Sequence, residues 1–237
     1  MKLFQVLIKK QANFPFISII SFIFCLFLFL RFPYIDIFIS NIFFYETNFP
    51  FNGKDNLLIK IIDRLIEYGG TATWITIVAH YIIKEVKKNG LFGFSHKQYK
   101  LLYISLVGLI GSVGIVHFMK AYFMRCRPNT LQIFNGKEIF TKAWMINDYA
   151  YNFSACKSFI SGHSAIGFLI FSIAFIFSKH SPERKFYIIL GILVGSLFGI
   201  IRIIQGQHFA SDVIFSGYVI FFTSIIIAKI MKPDLYK

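Results

Sequence analysis

Three groups of polar residues stand at the ends of long apolar runs, where polar side chains are costly unless they have a task. The first is Lys120-Ala-Tyr-Phe-Met-Arg-Cys-Arg127-Pro128. The second is Ser161-Gly162-His163, and the third is Arg202-Ile-Ile-Gln-Gly-Gln-His208-Phe-Ala-Ser-Asp212. Lys, Arg, Arg, Ser, Gly, two His and Asp form a set suited to holding a phosphate and transferring it. Cations neutralise a dianionic phosphoryl group and the charge that builds on its equatorial oxygens in the transition state. Arg127 and Arg202 suit bidentate contact with phosphate oxygens, and Lys120 supplies a point charge. Ser161 and Gly162 open a helix whose free N–H groups and positive dipole end favour an anion, and Gly162 has no Cβ to block close approach. His208 and Asp212 are four residues apart, so one helical turn brings carboxylate to imidazole, fixing its tautomer and raising the basicity of a nucleophilic nitrogen. His163 is then free to protonate a departing alkoxide.

Alone, a His–Asp pair one turn apart is commonly a satisfied polar pair at a helix start. Arg202 six residues earlier and the two companion groups favour the functional reading. Ser161-Gly162 without His163 would read as a plain helix cap. His80 and His117 lie inside apolar runs and read as hydrogen-bonded helix residues. Gly108, Gly111 and Gly114 suit close helix packing, and Trp74 and Trp144 suit membrane interfaces.

The elements that must position these groups follow from composition. The chain has 237 residues, 56% apolar, 19% aromatic and 15% charged, with 31 Phe, and a mean hydropathy of +0.64. Disorder, a collagen-like fibre and an ordinary soluble domain are excluded, because no single soluble core of this size could hide that much apolar surface. Six apolar runs approach the ~20 residues that cross a bilayer: Phe14 to Leu30, then about Leu65 to Ile83, Leu101 to Met119, Phe159 to Ser178, Phe186 to Ile204 and Val213 to Ala228. The first lacks the small-residue cleavage site of a signal peptide and reads as a retained span. Between Asp55 and Glu67, Leu58, Ile61, Ile62 and Leu65 share a helical face, which predicts an interfacial helix leading into the second span. The expected fold is an all-α integral membrane protein of six transmembrane helices plus that interfacial helix, in a single domain over 1–237.

A net charge of +14 would suggest nucleic acid in a soluble protein, but here it gathers between apolar runs as topology requires, so nucleic acid is set aside. Lys and Arg outnumber acids in the N-terminus, the 84–100 loop, the 179–185 turn and the C-terminal tail, which places these ends in the cytoplasm. Spans three and five then run outward and spans four and six inward. All three polar groups converge at one depth on the outer side. The three Cys, at 25, 126 and 156, match no zinc or redox spacing, and no Asp, Glu and His grouping has metal-ligand spacing. Cys126 and Cys156 share the outward loop and could pair there, with free thiols the expected state because sequence gives no distance.

At these residues the chain resembles the type 2 phosphatidic acid phosphatases, which share a superfamily with the vanadium haloperoxidases. The family pattern K-x6-R-P, P-S-G-H and S-R-x5-H-x3-D is matched by Lys120 through Arg127-Pro128, by Ser161-Gly162-His163, and by Arg202 through His208 to Asp212. Ile160 stands where the family has Pro and Ile201 where it has Ser. The likeness covers roughly residues 100–228, the expected phosphatase core. It implies an acid phosphatase/haloperoxidase-like helical core and a lipid phosphatase without cofactor or metal. It further implies that His208 attacks phosphorus to form a phosphohistidine, Asp212 orients it, His163 acts as acid and then activates water, and Lys120, Arg127, Ser161, Gly162 and Arg202 hold the phosphoryl group. The stretches Arg127-Pro128 to Phe140 and Gln205 to Asp212 are similar to the bacterial subgroup that dephosphorylates lipid A, nearest to the 4'-phosphatases. The expected substrate is therefore an anionic membrane lipid, with lipid A first and undecaprenyl pyrophosphate, phosphatidylglycerol phosphate or phosphatidic acid as alternatives. Transfer to an acceptor, or a non-catalytic lipid-phosphate binder or transporter, also stays open. The expected location is a bacterial inner membrane, with the site facing the periplasm and both termini cytoplasmic.

Overall fold

The computed structural model describes residues 14–45, 51, 57–65, 83, 96–150 and 155–233. The second expected span and most of the 84–100 loop lie outside these residues, as do His80 and Trp74. The described fold is helical: α1 (Phe14–Arg31), α2 (Tyr34–Asn41), α3 (Leu57–Arg64), α4 (His96–Val107), a π-helical segment (Gly108–Ile115), α5 (Val116–Phe123), α6 (Gly162–Phe168), α7 (Ile170–Ala174), α8 (Pro182–Ile204) and α9 (Ala210–Met231). Strand pairing among the described residues is confined to isolated bridges, Phe44 with Phe51 and Leu131 with Glu138.

Three stretches are long and apolar enough to cross a membrane, Gln98–Thr130, Pro182–Ile204 and Ala210–Met231, and α1 and α2 qualify jointly as a pair bent by 82°. Their outer faces are apolar: Phe16, Ile20, Ile23, Phe24 and Phe27 on α1, and Ile189, Ile192, Leu193, Leu197 and Ile200 on α8, are all exposed. A surface of that kind fits lipid as solvent. The expected run from Phe159 to Ser178 is helical only in the two short pieces α6 and α7. Its first residues are extended, with Ser161 at φ −70°, ψ 116°, because they carry site groups in place of a helical turn. α3 is amphipathic as the pattern required, with Leu57, Leu58, Lys60, Ile61, Ile62 and Arg64 all exposed.

The centre is built by close approach. α8 begins on Ser181, whose Oγ accepts the Arg184 N–H at 3.2 Å, with Pro182 at its first position. Its buried face is Gly191, Gly195, Gly199, Arg202 and Ile203. A Cβ on Gly195 would stand 2.3 Å from the Phe168 ring, and one on Gly167 would stand 2.7 Å from the Gly195 Cα. The helices therefore meet backbone to backbone, as small residues every fourth position allow. In the π-helical segment Gly111 faces Ile220 and Thr223, whereas a Cβ on Gly114 would meet only the Leu109 carbonyl.

Trp144, expected at a membrane interface, lies in the loop after α5. Its ring packs edge-on against Phe22, Phe123, Phe159 and Phe215, tying the loop after α5 to α1 and α9. That loop also has a core of its own around Phe51, Leu131, Phe134 and Phe209. His117 hydrogen-bonds the Val113 carbonyl at 2.8 Å, the plain helix role its position suggested.

Candidate active site

Asp212 lies in the first turn of α9, where its Oδ2 accepts the Phe209 N–H at 2.9 Å and so caps the helix that carries it. The same oxygen accepts the Ser158 hydroxyl. His208, 2% exposed, turns its Nδ1 to the same acceptors, 3.5 Å from Asp212 Oδ2 and 3.4 Å from Ser158 Oγ. Because the Ser158 hydrogen is committed to Asp212, both acceptors call for a protonated Nδ1. The lone pair is left on Nε2. Burial, together with the nearby charges of Lys120 and Arg202 and against the pull of Asp212, pushes the His208 imidazole down to about 3. It is a neutral base throughout the physiological range.

The cations gather beside it. Lys120, on the last turn of α5, is within electrostatic reach of Arg127, Arg202, Lys157 and Asp212. A Cβ on Gly162 would stand 3.4 Å from Lys120 Nζ, so the bare Cα there leaves room for the ammonium group and what it binds. Arg127 follows in extended conformation, its N–H donating to the Ala155 carbonyl at 3.2 Å. Arg202 is buried on the last turn of α8, with Nη1 on Gln205 Oε1 at 2.8 Å.

Ser161 caps α6 by accepting the Ser164 N–H at 3.4 Å. It is fastened to α9, because its N–H donates to the Asp212 carbonyl at 3.1 Å and its carbonyl accepts the Ser216 hydroxyl at 2.8 Å. His163 follows in the first turn of α6, half-buried. The three groups separated by as many as 92 residues in sequence, from Lys120 to Asp212, thus meet around one helix N-terminus.

Three side chains at this place had escaped the sequence reading. Arg125, 1% exposed, donates through Nη1 to Asp212 Oδ1 at 2.6 Å and through Nη2 to Asp36 Oδ2 at 2.8 Å. A buried Arg must find carboxylates, and Arg125 stood inside the first motif, so its signal was present. Asp36 follows the first apolar run with no motif around it, and Ser158 carries no signal at all. Cys126 and Cys156, for which free thiols were expected, are joined by a disulfide. The pairing ties the residue before Arg127 to the segment carrying Ser158, a proximity that linear spacing could not reveal. Among the described residues, the grouping with metal-ligating geometry is Cys126, Glu138 and Cys156, and its two sulfurs are bonded to each other.

The arrangement offers a nucleophilic nitrogen, an anchored carboxylate, a second imidazole and a cationic cradle at a helix start. The sequence pattern described as the PAP2 superfamily matches residues 101–235. A protein named lipid A 4'-phosphatase, from Francisella tularensis subsp. novicida (strain U112), is 27% identical over 143 residues, 58% of this chain. The chain spans 61% of that relative's length. No solved structure matches.

Proposed function

The chain belongs to the PAP2 superfamily, and from that premise we propose that it is a membrane lipid phosphatase acting through a phosphohistidine on His208. The observation that carries the reading is the His208 ring, held neutral with Nδ1 turned to Asp212 and Ser158. A non-catalytic binder or transporter would need the cations but not this orientation. In the proposed reaction His208 Nε2 attacks phosphorus, a P–N bond forms and the P–O bond to the lipid breaks. The departing alkoxide takes a proton from His163. Asp212 offsets the positive charge left on the phosphorylated ring. Lys120, Arg127 and Arg202, with the Ser161 hydroxyl and the Gly162 N–H, hold the equatorial oxygens. Water then gives its proton to His163 and attacks phosphorus, the P–N bond breaks and phosphate leaves. No step calls on a metal.

Lipid A is the proposed substrate, supported by the name of the 27%-identical relative and by the basic outer loop. Six spans with cytoplasmic termini and a periplasmic site in a bacterial inner membrane complete the proposal. Support comes from the basic loops and from the α1–α2 bend, which delivers Asp36 to the same end as α5, α6, α8 and α9. Mass spectrometry of membrane lipids from cells with and without the chain tests the substrate, since the true one loses the mass of HPO₃. His208→Ala is expected to abolish that change with expression intact, and activity is expected to survive EDTA. Turnover at the wild-type rate in His208→Ala, or a strict divalent-metal requirement, would refute the mechanism.

A further inference from the structure

We propose that Asp36 and Arg125 are positioning residues that set the orientation of Asp212, and through it the reactivity of His208; the inference rests on the phosphohistidine reading. Asp36 lies outside residues 101–235, the part of the chain that the family pattern covers.

Arg125 is committed to the protein, because four of its five donors have protein acceptors. Nε goes to the Thr141 carbonyl at 2.8 Å, Nη1 to Ser211 Oγ at 2.8 Å and Asp212 Oδ1 at 2.6 Å, and Nη2 to Asp36 Oδ2 at 2.8 Å. Its guanidinium also lies 4.1 Å from the Phe209 ring centroid and 5.5 Å from that of Phe140. By taking Oδ1 it leaves Oδ2 of Asp212 to Ser158, the Phe209 N–H and His208.

Asp36 completes the device from α2. Its Oδ1 accepts the Ser211 N–H at 2.9 Å, and its Oδ2 accepts the Ser211 hydroxyl and Arg125. The neighbour of Asp212 is thereby fixed from the other side. Arg125 is thus shared between Asp212, Asp36 and Ser211, so that Asp212 and its neighbour are held from both α2 and the segment after α5, and Oδ2 stays aimed at the ring when phosphorylation makes it cationic. Stability is a weak explanation for the cluster, since buried ion pairs can commonly be replaced by apolar packing without loss.

The test uses the full chain in detergent with a lipid phosphate substrate. Asp36→Asn keeps the shape but replaces one acceptor oxygen by an amide donor, so that the contact to the Ser211 N–H or the contacts to Arg125 and the Ser211 hydroxyl are lost. It is expected to lower kcat roughly ten- to a hundred-fold, the range found for partners that orient a reacting group. KM and the inhibition constant of inorganic phosphate are expected to stay within about two-fold, with Asp36→Glu recovering part of kcat. Wild-type kcat in Asp36→Asn would overturn the inference, as would a fall matched by an equal weakening of phosphate binding, which marks a role in folding the cradle alone. If Asp36→Asn does not fold, Ser211→Ala decides. It removes the hydroxyl bridge but no charge, and a several-fold fall in kcat at constant KM is expected, with wild-type kcat overturning the inference. Turnover in His208→Ala would instead overturn the phosphohistidine reading, whatever the Asp36 variants do.

Discussion

His208 and the groups around it make one prediction about pH. An ordinary histidine titrates near 6.5, and this one is pushed down to about 3 by burial and by the charges of Lys120 and Arg202, against Asp212. Its neutral form is therefore favoured by folding. The stability this contributes is fully present above the ordinary value and is lost as pH falls toward the folded value. In nitrogen NMR of the folded chain, His208 is expected to keep an unprotonated Nε2 at pH 5, well below the ~6.5 at which a free imidazole in water titrates. A ring that protonates near 6.5 would remove the nucleophile's stated environment. At this scale the sequence was legible where type and spacing both spoke: Lys120, Arg127, Ser161, Gly162, Arg202, His208 and Asp212 do gather at one place. Asp36 and Ser158 were illegible because their meaning lies in a contact across the fold, 175 residues from Ser211 in one case and 54 from Asp212 in the other.

Among elements, α8 is tightly constrained, because three of its five buried residues are glycines in close contact. A Cβ at Gly199 would stand 2.2 Å from Val213 Cγ1, next to the turn that holds Asp212. Gly199→Ala is expected to destabilise by about 1–3 kcal/mol, as overpacking does, and to reduce activity by shifting the start of α9. Gly114→Ala, which meets only the Leu109 carbonyl at 3.4 Å, serves as the contrast, with little change in thermal midpoint. Equal midpoints for the two variants would contradict the packing account. Apolar length made α1, α8 and α9 legible. The run from Phe159 to Ser178 is legible as an apolar helix over Gly162–Ala174 and not to its full length, because hydropathy reports burial in lipid or protein and not where the backbone stays helical. The ring partners of Trp144 were illegible for the same reason: an aromatic at the end of an apolar run reads alike whether it meets a headgroup or a cluster of Phe rings.

The described residues form a basic, apolar-faced helical body whose loop after α5 carries charge that the proposed topology does not need. Lys137 and Lys142 are exposed and Lys157 is half-buried, while Glu138 is buried and offsets them little at the surface. Each exposed contact with an anionic surface contributes about 1 kcal/mol. Neutralising the three lysines is expected to raise KM several-fold for a bis-phosphorylated lipid, to leave kcat nearly unchanged and to spare a short-chain phosphatidic acid. An equal response from both substrates would make the loop a surface anchor and remove one support for lipid A. The six-span, outward-facing arrangement expected from charge and apolar length remains part of the proposal, whereas the disulfide that braces the loop needed three-dimensional proximity to be seen. The central claim is that His208 carries the phosphoryl group, and it is tested most directly by trapping it. His163→Ala, incubated with an aryl phosphate whose leaving group needs no acid and then quenched in alkali, is expected to accumulate one HPO₃ on His208, localised by peptide mass spectrometry. Phosphate on another residue, or turnover with no phosphoryl group on the protein at all, would contradict it.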